Sequence, residues 1–266
     1  VLSKENKVDE LTQRLIVHYK PLIVGFILLT FLADFLMGLF LFRWKKSGFT
    51  PFGEFLSIPF SWWELLAVSL FLFSGILLGV AAGLSIFSIF LVVLLVRFHG
   101  YNLSDYLGVA SYDPLKIAVV SFWICLSAYL PLQMLAGLSE TIGRSLHLPV
   151  PRQPAVDLFL HASKPIDIVI ILSLILIAAP IGEELLFRGF LYQFLRYHFT
   201  RRKAIVISGL IFALLHIHWI TFLPLFFFGM ILAVVYEFSG SLVLSMAVHF
   251  WFNGFTACLL LLAKYG

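Results

Sequence analysis

The sequence predicts an all-α, polytopic transmembrane bundle of seven or eight helices, one of them kinked at Pro180. Three observations carry this. First, 61% of the 266 residues are hydrophobic and only 12% are charged, about half the charged fraction of a soluble domain. Second, apolar runs near the ~20 residues needed to cross a bilayer recur along the chain, separated by polar connectors. Third, a backbone in lipid must satisfy its own hydrogen bonds, so these runs have to be helices, even the β-branched ones.

The charge balance excludes some partners. A net charge of +4 is modest, and no basic patch with interleaved aromatics points to nucleic acid. The charges read as topological and lipid-facing, with the bilayer as partner. Cys125 and Cys258 lie far apart in apolar runs and read as small buried hydrophobes, not as a disulfide or zinc framework.

Residues 1–20 form a polar N-terminal segment of mixed charge without the features of a signal peptide. The chain opens on Val1, so at least an initiator methionine is expected ahead of it. Residues 21–138 are expected to hold the N-terminal transmembrane helices. The first is Pro21 to Phe42, interrupted by Asp34 and closed by "RWKK". The next apolar stretch, Trp62 to Val96, is too long for one span and barely long enough for two. Its glycine-rich centre (Gly75, Gly79, Gly83) fits a tight turn or a helix-packing face, and Trp62 and Trp63 fit interface anchors. Asp34 and Glu64 read as helix-end or interface groups. After a polar connector comes Leu115 to Leu138, with Pro131 as an expected kink.

Residues 139–164 are mixed and proline-containing and read as a connecting loop or surface segment. Residues 165–266 are expected to form the functional core. There Ile166 to Ala179 is apolar, Pro180 is expected to break or kink the helix, and "GEELLFRGFLYQFLRYHF" starts a new helical turn. Arg201, Arg202 and Lys203 make a dense basic cluster that reads as cytoplasmic. Ala204 to Leu215, Phe222 to Tyr236 and Leu242 to Leu262 give three more spans.

Ionisable residues at membrane depth are functional candidates by default. Glu184 and Arg188 are four apart, share a helix face and can pair. Glu183 points about 100° away and is free to face a cavity. His216 lies in "FALLH", and His249 and Asn253 are one turn apart in "HFWFN". A carboxylate in apolar surroundings suits a general base. Glu183 with His216 can activate a water, and His249 with Asn253 can hold the resulting oxyanion. That chemistry is peptide hydrolysis, with Glu184 and Arg188 as the supporting ion pair. His18, His99, His147, His161, His198 and His218 lack such company and read as loop or interface residues. A zinc ion on Glu183, His216 and His249 is the secondary alternative, since the His-Glu-x-x-His spacing is absent. No cofactor is expected.

Three motifs, Glu183-Glu184-Leu185-Leu186-Phe187-Arg188, Phe212-Ala213-Leu214-Leu215-His216 and His249-Phe250-Trp251-Phe252-Asn253, stand in this order on successive helices. With Gly189 after Arg188 and "YEFSGSLVLSMAVH" before the last motif, residues from about 165 to 255 resemble the CPBP family, which comprises CAAX prenyl endopeptidases and bacteriocin-processing enzymes, also called Abi proteins. The resemblance implies an intramembrane protease of roughly eight helices, with Glu183 as base and a peptide or protein substrate that is prenylated in some members. It implies a bacterial or archaeal plasma membrane, or the ER membrane of a eukaryote. Two other readings stand beside it. One is a non-catalytic immunity or scaffold protein that binds a peptide or partner through the same polar cluster. The other, a transporter, is weakened by the lack of an evident inverted repeat.

Overall fold

The computed structural model describes residues 24–25, 27–30, 32, 58–77, 81–108 and 113–265. Asp34, nearly all of the first expected span, the polar segment 1–20 and the packing of the glycine-rich centre lie outside the described residues. Everything described is helix, turn or loop, and there is no strand among the described residues. The helices are α1 (Trp62–Leu77), α2 (Ala81–Phe98), α3 (Leu103–Leu107), α4 (Pro114–Ser145), α5 (Pro154–His161), α6 (Pro165–His198), α7 (Arg201–Leu215), α8 (Trp219–Ser239) and α9 (Leu242–Tyr265). Of these, α4, α6, α8 and α9 are long and apolar enough to cross a bilayer, and α1 and α2 contain shorter apolar stretches. The protein is an integral membrane protein.

Local chemistry sets several helix boundaries. Ser61 and Glu64 form a capping box at the start of α1, with the Glu64 carboxylate accepting from the Ser61 N–H at 2.7 Å and the Ser61 Oγ accepting from the Glu64 N–H at 3.3 Å. Asp113 caps α4 through the Leu115 N–H, ahead of Pro114 in the first turn. Gly240 ends α8 in the left-handed conformation (φ 65°) that only glycine adopts freely.

The long second stretch is a helical hairpin. His99, just past α2, bonds Glu64 at the start of α1 through Nε2···Oε1 at 2.6 Å. The start of one helix and the end of the next therefore share one face of the bundle, and the stretch supplies two helices. α4 runs past the expected limit at Leu138 to Ser145. Its polar end stays helical because Glu140 and Arg144 pair one turn apart at 2.8 Å and the Thr141 and Ser145 hydroxyls bond back onto the preceding turn. The segment expected as a connecting loop or surface segment holds α5, tied to the end of α9 by the Lys264 ammonium, which donates to the Phe159 and Ala162 carbonyls.

At the centre stands α6. Its residues from Leu185 to Leu195 are buried on every side, which suits a helix ringed by others. α2 touches it where Ser88 Oγ donates to the Gly182 carbonyl at 3.2 Å. α7 and α8 cross in near backbone contact at Gly209 and Gly229, where a Cβ on Gly229 would lie 2.9 Å from the Gly209 Cα. On the far side, Tyr129 of α4 packs edge-on against Phe252 and Phe255 of α9.

Candidate active site

Proline at position 180 does not end α6. The helix passes through it, and two wide π segments, Leu174–Ala178 and Leu185–Tyr192, flank the short α-helical piece Ala179–Glu184. A π turn takes an extra residue and re-aims the side chains around it, and such turns recur at functional sites. The first π segment lies directly ahead of Pro180, where an α-helix would meet the proline ring and a missing donor. The two glutamates thus sit on a piece of regular helix between two widened turns.

Glu184 is fully buried and fully used. Its Oε1 accepts from Arg188 Nη1 at 2.8 Å and from His249 Nδ1 at 2.9 Å, and its Oε2 accepts from Ser245 Oγ at 2.6 Å. Arg188, also at 0% exposure, donates a second N–H to the Gly229 carbonyl at 3.0 Å. Its guanidinium lies over the Phe212 ring, 4.7 Å from the centroid. A buried ion pair persists only when such extra bonds satisfy it. The expected pairing of Glu184 with Arg188 is present, and Glu184 also holds His249.

Glu183 faces the other way, as its offset on the helix requires. Its Oε2 lies 3.9 Å from both His216 Nε2 and His249 Nε2, and is buried without a hydrogen-bond partner among the described residues. The side chain of Glu183 is 24% exposed and that of His216 30%, against 5% for His249. The cluster therefore has an accessible side at Glu183 and His216 and a closed side at His249.

Both imidazoles are oriented from behind. His216, at the end of α7, donates from Nδ1 to the Phe212 carbonyl one turn earlier at 2.7 Å. His249 donates from Nδ1 to Glu184, a carboxylate already paired with arginine. In each neutral ring the unprotonated Nε2 then turns toward Glu183. Phe212 therefore serves twice, with its carbonyl on His216 and its ring on Arg188.

Asn253 Nδ2 donates to the Ile175 carbonyl in the first π segment at 2.9 Å, so one N–H of the amide braces α6. Ser245, His249 and Asn253 stand four apart on α9 and all face α6. Ser245 escaped the sequence reading. The signal was its position one turn before His249 on the same face. His218 behaves as a loop residue, bonded to Thr221 Oγ1 and the Pro151 carbonyl. Among the described residues no group of three or more His, Cys, Asp or Glu side chains is placed to hold a metal ion; Glu183, His216 and His249 are separated as given above.

Residues 165–255 match the family described as type II CAAX prenyl endopeptidase Rce1-like. A 24.3 kDa protein of Escherichia coli, described as uncharacterized, is 34% identical over 114 residues, which cover 41% of this chain and 51% of that protein. The chain thus spans about half the length of the curated relative it matches. No solved structure matches it. Residues 165–255, the segment holding Glu183, Glu184, Arg188, His216, His249 and Asn253, are thus similar to the Rce1-like family of CAAX prenyl endopeptidases.

Proposed function

We propose that the protein is an intramembrane endopeptidase in which Glu183 activates a water molecule. One observation carries this reading: Glu183 Oε2 stands 3.9 Å from two imidazole nitrogens and bonds to neither. That spacing is too long for direct hydrogen bonds and short enough for one water, at ~2.8 Å from each, to bridge them. Three acceptor atoms converge there, so a water that donates to Glu183 and to one ring suits them.

In the proposed reaction Glu183 takes a proton from the water as its oxygen attacks the peptide carbonyl. His216, fixed by the Phe212 carbonyl, orients that water. The tetrahedral oxyanion is met by the remaining N–H of Asn253 and by His249, which takes up a solvent proton at Nε2 as substrate binds, with Glu184 at Nδ1 as counter-charge, and returns it to solvent when the products leave. Collapse breaks the C–N bond, and the proton on Glu183 passes to the leaving amine. The products are a carboxylate and an amine, and no cofactor takes part.

The substrate is a peptide or protein presented at the membrane. In a host that makes prenylated proteins, the family assignment favours removal of a CAAX tail beyond a lipidated cysteine. In a bacterium, processing of a peptide or membrane protein is favoured. The test compares peptide termini in cells carrying the wild-type protein and Glu183→Gln. New termini present only with the wild type are expected, and they name the substrate. Identical termini, with the biological effect retained by Glu183→Gln and His216→Ala, would instead establish the non-catalytic immunity or scaffold reading.

A further inference from the structure

We infer that Ser245 is a positioning residue that keeps the Glu184 carboxylate turned toward His249; the inference rests on the hydrolytic reading of the site. The argument concerns one carboxylate and three donors. Arg188 Nη1 and His249 Nδ1 share Oε1. Oε2 takes Ser245 Oγ at 2.6 Å, and no other donor to Oε2 is present among the described residues. All of these side chains are essentially shielded from solvent, so water does not compete for them.

Left to itself, a carboxylate beside an arginine prefers the fork geometry, in which two N–H groups meet two oxygens. Here it does not adopt it. One guanidinium nitrogen goes to Glu184 and the other terminal one to the Gly229 carbonyl. The short bond from Ser245 on α9 holds Oε2 turned away from the guanidinium, so the fork does not form. It thereby leaves Oε1 in line with His249. Ser245 and His249 are one turn apart on α9, so the helix grips Glu184 with two prongs of fixed spacing. The hydroxyl acts on His249 only through Glu184. It touches neither Glu183 nor His216 in any bond described above.

Loss of the hydroxyl leaves a buried carboxylate oxygen without its donor. The carboxylate then turns onto Arg188, and His249 loses the acceptor that fixes its tautomer and ring plane. The overall packing around Arg188 is retained, because its bonds are gained and not lost.

The decisive measurement is the 15N spectrum of protein labelled at histidine, in detergent micelles, with the His249 resonances assigned by their disappearance in His249→Gln. Wild type is expected to show His249 as a single species with the proton on Nδ1. Ser245→Ala is expected to shift or split those signals while the His216 signals and the midpoint of thermal unfolding stay close to wild type. Ser245→Cys keeps the volume and weakens the donor, and gives the same readout if the alanine form does not fold. Unchanged His249 signals in a folded Ser245 variant would overturn the inference, whether or not the protein cleaves any peptide. On a substrate named by the terminus comparison, Ser245→Ala should lower kcat about 10-fold with KM within about 2-fold, the mark of an interaction made only in the transition state. If the wild type cleaves nothing, the hydrolytic reading fails, and the spectrum still decides the role of Ser245.

Discussion

Glu184 Oε1 and His249 Nδ1 lie 2.9 Å apart, joining the residue that neutralises a buried arginine to one of the two rings that face Glu183. The adjacent glutamates have thereby divided the work of the site. Glu183 is partly exposed, and its Oε2 has no hydrogen-bond partner among the described residues. Glu184 is enclosed, bonded by three donors, and connects helix stability to the geometry of an imidazole. The division follows from the ~100° step between neighbours on a helix and from the Arg188 position one turn on.

Stability should separate the two acids. Glu184→Gln leaves the Arg188 guanidinium buried opposite a neutral amide, and breaking a buried pair in this way costs about 3–5 kcal/mol. Glu183→Gln removes no bond and should change stability by less than about 0.5 kcal/mol. Chemical unfolding in detergent, followed by far-UV circular dichroism, measures both. A Glu184→Gln protein as stable as wild type would show that Arg188 is adequately held by Gly229 and Phe212 alone.

Gly189 should tolerate no side chain. A Cβ there would collide with the hydroxyl of Tyr106 from α3, and overpacking of this kind costs about 1–3 kcal/mol. That hydroxyl is buried and has no partner among the described residues, so Tyr106→Phe relieves both a desolvated polar group and the obstruction. Tyr106→Phe alone is expected to raise stability by about 1 kcal/mol, and the double variant with Gly189→Ala to recover much of the loss. A thermal unfolding series of the four proteins gives the coupling directly. Additive effects would mean that α3 moves aside instead.

The sequence carried the site residues further than the helix geometry. Glu184, Arg188, His249 and Asn253 were readable because i,i+4 spacing and apolar surroundings make a buried charge hard to explain otherwise. Pro180 left a break and a kink both open; α6 continues through widened turns beside it, and no residue pattern announces a π turn. The hairpin of α1 and α2 was undecidable from length alone, because the contact that proves it, Glu64 to His99, joins residues 35 positions apart. Ser245 was passed over because a lone serine in a span is ordinary. Only the donor count on Glu184 makes it notable.

Metal dependence has a direct readout. A water activated by Glu183 and His216 needs no ion, so activity on an identified substrate should stay within about 2-fold after dialysis against a strong chelator and should not rise on adding zinc. Loss of activity with chelator, restored by stoichiometric Zn2+, would move Glu183, His216 and His249 into a ligand set and displace the general-base role. Folding is controlled in the same samples by circular dichroism, since removal of a structural metal would also lower stability.

Asn253 offers the sharpest test of the oxyanion assignment, because its amide has two distinct uses. One N–H is committed to the Ile175 carbonyl, where it braces the π turn ahead of Pro180. The other is free to meet a developing oxyanion. Loss of an oxyanion donor costs about 10²–10³ in kcat with little change in KM. Loss of a brace alone displaces Glu183 and His249 slightly, lowers stability by about 1 kcal/mol, and leaves a smaller kinetic effect. Asn253→Ala removes both uses, whereas Asn253→Asp keeps the shape, removes both donors and sets a carboxylate against the Ile175 carbonyl. A fall of at least 100-fold in kcat for Asn253→Ala, with thermal stability lowered by no more than the brace accounts for, supports the oxyanion role. A fall under 10-fold would confine Asn253 to holding α6, and the oxyanion would then rest on His249.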